Sequence, residues 1–382
     1  MKKILFLLIV IFLFSMKISL HAEAELAVNS KGACLIEAST QRIIYEKNAT
    51  DRLAPASMTK IMTMILVMEA LDAGKFTLND MVTTPEIAKG IEGTTIFLDV
   101  NERMSVDHLL KAVAINSAND AAVSLAVFVG GSLDNFIKMM NDKAKELELV
   151  NTNFVNPMGL DTPNHYSCAR DMAMMGAHLI NKYPKILEYT SVYEDYIRED
   201  NPEKRFWLVN TNKLVKFMEG VDGLKTGWTD DAGYCLTCTI KKNDIRFISV
   251  AMGCASVKLR TEDTVAMLNY ACNNYDLYRY LKKGDAIATF EDVLTTPMHY
   301  KVVINEDLNI LKPKGEKLKA ITVKVNIDNL KLKRHEGIVG TLDLYYDGRL
   351  YKTVELSIAE TVKKASFIDV FFEVLKEIFL VA

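Results

Sequence analysis

The sequence has no surplus of basic charge. Against 46 Lys and Arg it carries 49 Asp and Glu in 382 residues, a net charge of −3 and a pI near 6.1. It contains no Lys/Arg block and no alternation of basic and aromatic residues, so the electrostatic footprint of a nucleic-acid binder is missing. Cysteine is sparse. Six residues (Cys34, Cys168, Cys235, Cys238, Cys254, Cys272) in a chain of this length do not make a disulfide scaffold. Cys235-Leu-Thr-Cys238 matches C-x-x-C but lies in a run that reads as a strand, where positions i and i+3 point to opposite faces. No second pair or histidine cluster completes a metal site, so neither metal nor cofactor is expected. Among the six histidines, His108, His165 and His178 have no Ser/Asp context suggesting a histidine-based triad. Internal repeats and low-complexity segments are absent.

What remains is an ordinary globular composition, 49% hydrophobic and 25% charged, in a chain long enough for two domains. Lys2-Lys3, the apolar run Ile4–Phe14 and the small-x-small site Ala22-Glu23-Ala24 read as a secretory signal peptide over residues 1–24. An uncleaved anchor helix is the alternative, and either implies export. Residues 26–50 alternate as a hairpin. Helical patterning follows in Val106–Ile115, Ala121–Val129, Leu133–Leu147 and Ala169–Ile180, and strands in Leu236–Ile240 and Ile245–Met252. A long helix fits Val257–Leu281. Strand-rich sequence then continues to about 362, with an Asp347-Gly348 hairpin turn. The pattern predicts a catalytic unit over 25–280 and a small β-sandwich over 281–362. Residues 363–382 form an amphipathic helix, with Asp369, Glu373, Lys376 and Glu377 opposite a wide arc rich in Phe. Such an arc suits a membrane interface, or docking on its own domain.

Ser57-Met-Thr-Lys60 carries the chemistry. Pro55 precedes an apolar helix-forming run, Ile61–Leu71, and Pro is favoured at a helix start because its missing N–H would have no partner there. Positions i and i+3 share a helix face, so the Ser57 hydroxyl and the Lys60 amine can meet. A lysine in the first turn opposes the helix dipole, and the apolar run behind it argues for burial. Both disfavour the ammonium and make Lys60 a proton acceptor for Ser57. About one S-x-x-K arises by chance in a chain of this length, so the pair needs company.

It has company. Ser117-Ala118-Asn119, in a loop between two helical runs, offers a hydroxyl and an amide two residues apart. Lys225-Thr226-Gly227, on an extended segment, offers a cation, a hydroxyl and a glycine where a ligand backbone can approach. The ordered trio S-x-x-K, S-x-N, K-T-G resembles that of the penicillin-binding proteins and β-lactamases. The stretches Gly223–Gly233, Ser117–Ala122 and Tyr166–Ala173, and the order of the segments, resemble the serine-type D-alanyl-D-alanine carboxypeptidases over nearly the whole chain.

That resemblance implies an α+β fold: an antiparallel sheet flanked by helices, as in penicillin-recognising serine transpeptidases and β-lactamases, then a small all-β domain and an amphipathic helix. It implies that Ser57 attacks the bond between two terminal D-alanines of a peptidoglycan stem peptide, with Lys60 taking its proton and Ser117 passing one to the departing D-alanine. Asn119 would hold Lys60 and the substrate backbone. Lys225 would supply positive potential, Thr226 would bind the substrate carboxylate, and Arg260 would be the carboxylate-binding arginine. Gly227 belongs to the K-T-G block, and the backbone N–H groups of Ser57 and Trp228 would form an oxyanion hole, each donor worth about 3–4 kcal/mol. Some members carry a polar side chain where this chain has Trp228. β-Lactam antibiotics would acylate Ser57, and the protein would sit on the outer face of the membrane through its terminal helix.

A β-lactamase would need a glutamate to activate its deacylating water. Glu146 falls in a plausible region, but Val150 stands where an asparagine is expected. A penicillin-recognising wall protein without activity is the third reading. The intact trio gives it no support.

Overall fold

A computed structural model describes residues 25–372 apart from Asp200, Glu336 and Asp369. The expected signal peptide and most of the terminal helix lie outside the described residues. The first sheet has five strands: β1 (Gly32–Glu37), β2 (Ile43–Lys47), β3 (Val221–Thr229), β4 (Gly233–Lys242) and β5 (Ile245–Cys254), in the order β2-β1-β5-β4-β3. All pairings are antiparallel, and β3 is an edge. The hairpin read from residues 26–50 is β1 and β2.

Period-two alternation divides the apolar side chains of this sheet between two cores. Cys34, Ile36, Cys235, Ile248, Val250 and Met252 face one, while Ala33, Leu35, Leu236, Cys238, Ala251 and Cys254 face the other. Cys235 and Cys238 therefore lie on opposite faces of β4. Burial raises both thiols to about 12, and no metal-binding cluster occurs among the described residues.

The first core holds α1 (Lys60–Asp72), α2 (Asn119–Gly130), α3 (Leu133–Glu146) and α4 (Ala169–Lys182). Helix α1 is apolar all round, and Lys60 and every residue of Ile61–Met68 are buried. Such a helix belongs in an interior. The second core is closed by α5 (Val257–Asn274), capped by Ser256 Oγ, which accepts the N–H of Leu259 at 3.2 Å.

Two sequence expectations need correction. Lys363–Lys364, read as the start of the terminal helix, is a short strand paired with Thr295–Thr296. The helix read as Val257–Leu281 ends at Asn274, and Tyr275–Leu281 is a strand, β6. Its aromatic, alternating sequence fits a helix or a strand, and antiparallel pairing with β9 (Leu308–Pro313) decides for the strand.

Beyond it, β7 (Ala286–Glu291), β8 (His299–Ile304), β10 (Ile321–Ile327), β11 (Ile338–Tyr346) and β12 (Arg349–Ile358) form a second sheet in the order β7-β8-β12-β11-β10. A third core, including Val302, Ile310, Leu342, Leu344 and Leu356, packs on it. The turn read at Asp347-Gly348 joins β11 to β12 with φ of 55° and 73°. Two successive positive φ values are what a two-residue hairpin turn of the primed type requires.

Candidate active site

Ser57 sits in a 3-10 turn, Ala56–Thr59, that runs directly into α1 at Lys60. Ala56 has φ +47°, a left-handed conformation that a residue with a Cβ adopts at a cost and that gathers at functional sites. The turn is wedged between two glycines. A Cβ on Gly159 (φ +89°) would lie 1.8 Å from the Ala56 carbonyl oxygen, and one on Gly227 would lie 2.8 Å from that of Pro55. The close approach that Gly227 permits is thus with the chain's own Ser57 turn.

Lys60 is completely buried. Its Nζ lies 2.9 Å from Ser57 Oγ, 2.7 Å from Asn119 Oδ1 and 2.9 Å from the Met158 carbonyl oxygen. Burial lowers its pKa well below the ordinary 10.5, and the charge of Lys225 lowers it further against the opposing pull of Asp120. A neutral amine has two N–H bonds and one lone pair. Two of its three neighbours are pure acceptors and take the N–H bonds, so the lone pair is left for the Ser57 hydroxyl.

Asn119 is itself held on three sides. Its Nδ2 donates to the Glu92 carbonyl at 2.6 Å, its backbone N–H to Thr94 at 2.7 Å, and its Oδ1 accepts from Lys60. Next to it, the buried Asp120 carboxylate accepts the N–H groups of Ile96 and Leu98. The loop from Glu92 to Leu98 is thereby fixed beside the site. Ser117 follows a π-helical segment, Ala112–Asn116, and has φ +67°. π-Segments of this kind are frequent at functional sites.

Lys225 is also buried, and its pKa falls to about 7, chiefly by desolvation and then by the charge of Arg260. Its Nζ donates to the Thr226 carbonyl oxygen at 3.1 Å. Thr226 Oγ1 donates to Thr211 Oγ1 at 2.7 Å, and the Thr211 N–H donates to the carbonyl of Ile115, two residues before Ser117. These contacts tie the K-T-G strand to the S-x-N loop, as Gly227 ties it to the S-x-x-K turn. The Trp228 side chain is 54% exposed, with its ring 6.0 Å from that of Tyr234.

Arg260 is placed differently. It is buried on α5, which packs on the sheet face opposite to α1. Among the described residues it makes no side-chain hydrogen bond to Lys225 or Thr226, and its charge is one of the two influences that lower the Lys225 pKa.

Several participants escaped sequence reading. Met158 contributes only a backbone carbonyl, which no residue type announces. The one available signal was Asn156-Pro157-Met158-Gly159, a turn-forming string. In it Asn156 Oδ1 accepts from the N–H groups of Met158, Gly159 and Leu160. Thr211 and the carbonyl of Glu92 carried no signal.

Glu146, weighed as a water-activating base, is an exposed end of α3 paired with Lys143 at 2.7 Å. Among the described residues, no carboxylate hydrogen-bonds to Lys60.

Comparison with known proteins agrees with this geometry. The profile of the D-alanyl-D-alanine carboxypeptidases, peptidase family S11, matches residues 19–256. The D-alanyl-D-alanine carboxypeptidase DacF of Bacillus subtilis is 44% identical over 347 residues, 90% of this chain and 89% of its own. Penicillin-binding protein 5 of Haemophilus influenzae superposes with a TM-score of 0.70 at 30% identity, covering 88% of this chain and 98% of its own. Penicillin-binding protein D2 of Listeria monocytogenes, solved in its ampicillin-bound form, superposes at 0.57 with 30% identity over 63% of this chain and 96% of its own. With Ser57 and Lys60 in hydrogen-bond contact within this fold, the chain belongs to the D-alanyl-D-alanine carboxypeptidase family and is a serine-type hydrolase.

Proposed function

We propose that Ser57 is the nucleophile that removes the terminal D-alanine from peptidoglycan stem peptides. Lys60, as the neutral amine, takes the Ser57 proton while Oγ bonds to the carbonyl carbon of the penultimate D-alanine. The C–N bond then breaks, and Ser117 relays the proton taken up by Lys60 to the amine of the departing D-alanine, which returns Lys60 to its neutral form. Asn119 holds Lys60 and the substrate backbone, and the N–H groups of Ser57 and Trp228 bind the developing oxyanion. Water, with Lys60 again as base, hydrolyses the ester. The observation that carries this reading is the Lys60 amine, stripped of water and given two carbonyl acceptors plus Ser57.

Two of the buried lysines, Lys60 and Lys225, divide the work. Lys225, with its pKa lowered to about 7, supplies in its protonated form the potential that draws in the substrate carboxylate, with Thr226 as its hydroxyl ligand. Arg260 adds field from behind the sheet. The charge on Lys225 in turn helps keep Lys60 neutral, a separation of neighbouring pKa values typical of acid–base sites.

β-Lactams would acylate the same serine, as the ampicillin complex of the Listeria neighbour suggests. Residues 25–280 would be the catalytic unit and 281–362 a β unit. The last segment would lie on the outer face of the cytoplasmic membrane, a reading supported by the exposure of Phe367, Ile368, Phe371 and Phe372.

Intact-protein mass spectrometry after penicillin, with peptide mapping, tests the nucleophile. The expected result is one adduct on Ser57, lost in Ser57→Ala, together with D-alanine release from a pentapeptide. Labelling without D-alanine release would remove the carboxypeptidase assignment, and rapid penicillin turnover would favour a lactamase.

A further inference from the structure

His165 has no role in the chemistry above, yet it touches the nucleophile turn. Its ring is buried, with Nε2 2.8 Å from the hydroxyl of Thr59, the residue between Met58 and Lys60. The other nitrogen, Nδ1, accepts the backbone N–H of Val155 at 3.0 Å. Because Nδ1 accepts, the ring proton is on Nε2 and is donated to Thr59. The ring therefore spans two segments 96 residues apart, the end of the Ala56–Thr59 turn and the base of the loop that carries Met158.

The same loop makes two further contacts with the first turn of α1. Thr63 Oγ1 donates to the Pro157 carbonyl at 2.6 Å, and Lys60 Nζ donates to the Met158 carbonyl. Asn156 gathers the N–H groups of the next residues, so the loop is stiff once its base is anchored. The Phe154 ring meets the imidazole edge-on at 5.9 Å, and Asn141 pins the backbone of Phe154 from both sides.

We infer that His165 is a positioning residue for the known reaction: through Thr59 and Val155 it sets the distance between the nucleophile turn and the Met158 carbonyl, and so aims the Lys60 lone pair at Ser57. This rests on Lys60 acting as the base. Without the brace, the Met158 carbonyl drifts and water reaches the amine. Lys60 then regains hydration, holds its proton to higher pH and points less accurately. The charges bearing on Lys60 are Lys225 and Asp120. The charge bearing on the imidazole is Asp161, outweighed by burial, so the ring is neutral at the working pH.

The test is the second-order rate constant for acylation by a fluorescent penicillin, measured on the full chain from pH 5 to 10. His165→Ala and Thr59→Val each cut the plateau rate about ten- to a hundredfold, the scale of an ångström-sized misplacement. Each also moves the limb on which the rate rises with pH upward by about one unit. His165→Asn keeps an acceptor near Nδ1 and His165→Gln a donor near Nε2, and both recover part of the rate. A merely structural histidine would lower the melting temperature and leave the limb in place. Folded variants with the wild-type rate and limb overturn the inference. If His165→Ala does not fold, Thr59→Val and His165→Gln decide by the same criteria. If Lys60→Ala is acylated at the wild-type rate, the base assignment fails and the inference falls with it. If Lys60→Ala is inert while Thr59→Val and His165→Ala behave as wild type, the brace alone fails.

Discussion

The two sheet-bearing parts of this protein spend their interiors differently. Around the first sheet, Lys60, Lys225, Asn119, Asp120, His165 and Arg260 are all buried among apolar side chains. Beyond residue 280, the buried polar side chains among the described residues are Thr295 and Asn309, and no described lysine is buried. The second region is built as a stability-first core should be, with Val302, Leu308, Leu342, Leu344 and Leu356 filling it. Burying a charge-bearing group is costly unless it is paired or discharged. The region around the first sheet bears that cost in Lys60 and Lys225, 165 residues apart, and in Arg260, all three with depressed pKa values. Expensive burial marks the working half.

The strongest way to break the contrast is to remove a lysine from each region. Lys60→Ala lowers penicillin acylation by about 10²–10⁴-fold, the range for loss of a general base. Lys331→Ala, on the exposed surface of the second region, changes neither acylation nor stability measurably. An inactive Lys331→Ala would erase the distinction. Next in size is Leu344→Ala, which creates a cavity in the third core and costs about 2–5 kcal/mol. Calorimetry reads that loss, while the acylation rate at 25 °C stays at wild type. A parallel loss of acylation would mean that the two regions are energetically one.

pH sharpens the comparison. The His165 pKa is pushed from the usual 6.5 to about 4 by burial, against a raising influence from Asp161. Between those values the unfolded chain takes up a proton that the folded chain refuses. Stability is therefore complete above the unfolded value and declines as pH falls through that window, by about 3 kcal/mol. Urea unfolding at pH 7.5 and 4.5 measures it, and His165→Asn removes this part of the decline. A His165→Asn variant as acid-labile as wild type would place the sensitivity elsewhere.

The smallest effect tests glycine packing. Gly227→Ala brings a Cβ against Pro55 and Ala56 and costs about 1–3 kcal/mol, with a loss of acylation. Gly348→Ala, at φ +73° with open space around it, costs only about 1 kcal/mol and leaves acylation alone. Equal losses of acylation would separate neither.

Reading the sequence worked where chemistry is written in short spacings and stopped where it is not. The meeting of Ser57 with Lys60 and the Asp347-Gly348 turn both follow from helix and turn geometry over four residues or fewer. So does the division of Cys235 and Cys238 between two faces. The end of α5 was not legible, because Tyr275–Leu281 alternates in a way that either periodicity accepts and only pairing with β9 chooses. Nor could the importance of His165 be read. It lacks an acid or a serine beside it in sequence, and its partners are a hydroxyl 106 residues away and a backbone N–H.

By itself, then, the sequence determined the reactive pair, the trio and their order, since local covalent geometry settles which neighbours on a turn can touch. The tertiary structure decided that Lys60 is buried, that Met158 and Asn119 accept its hydrogen bonds, and that Arg260 lies on the helix behind the sheet. Those outcomes depend on desolvation and on hydrogen bonds between distant segments, which exist only after the cores have closed.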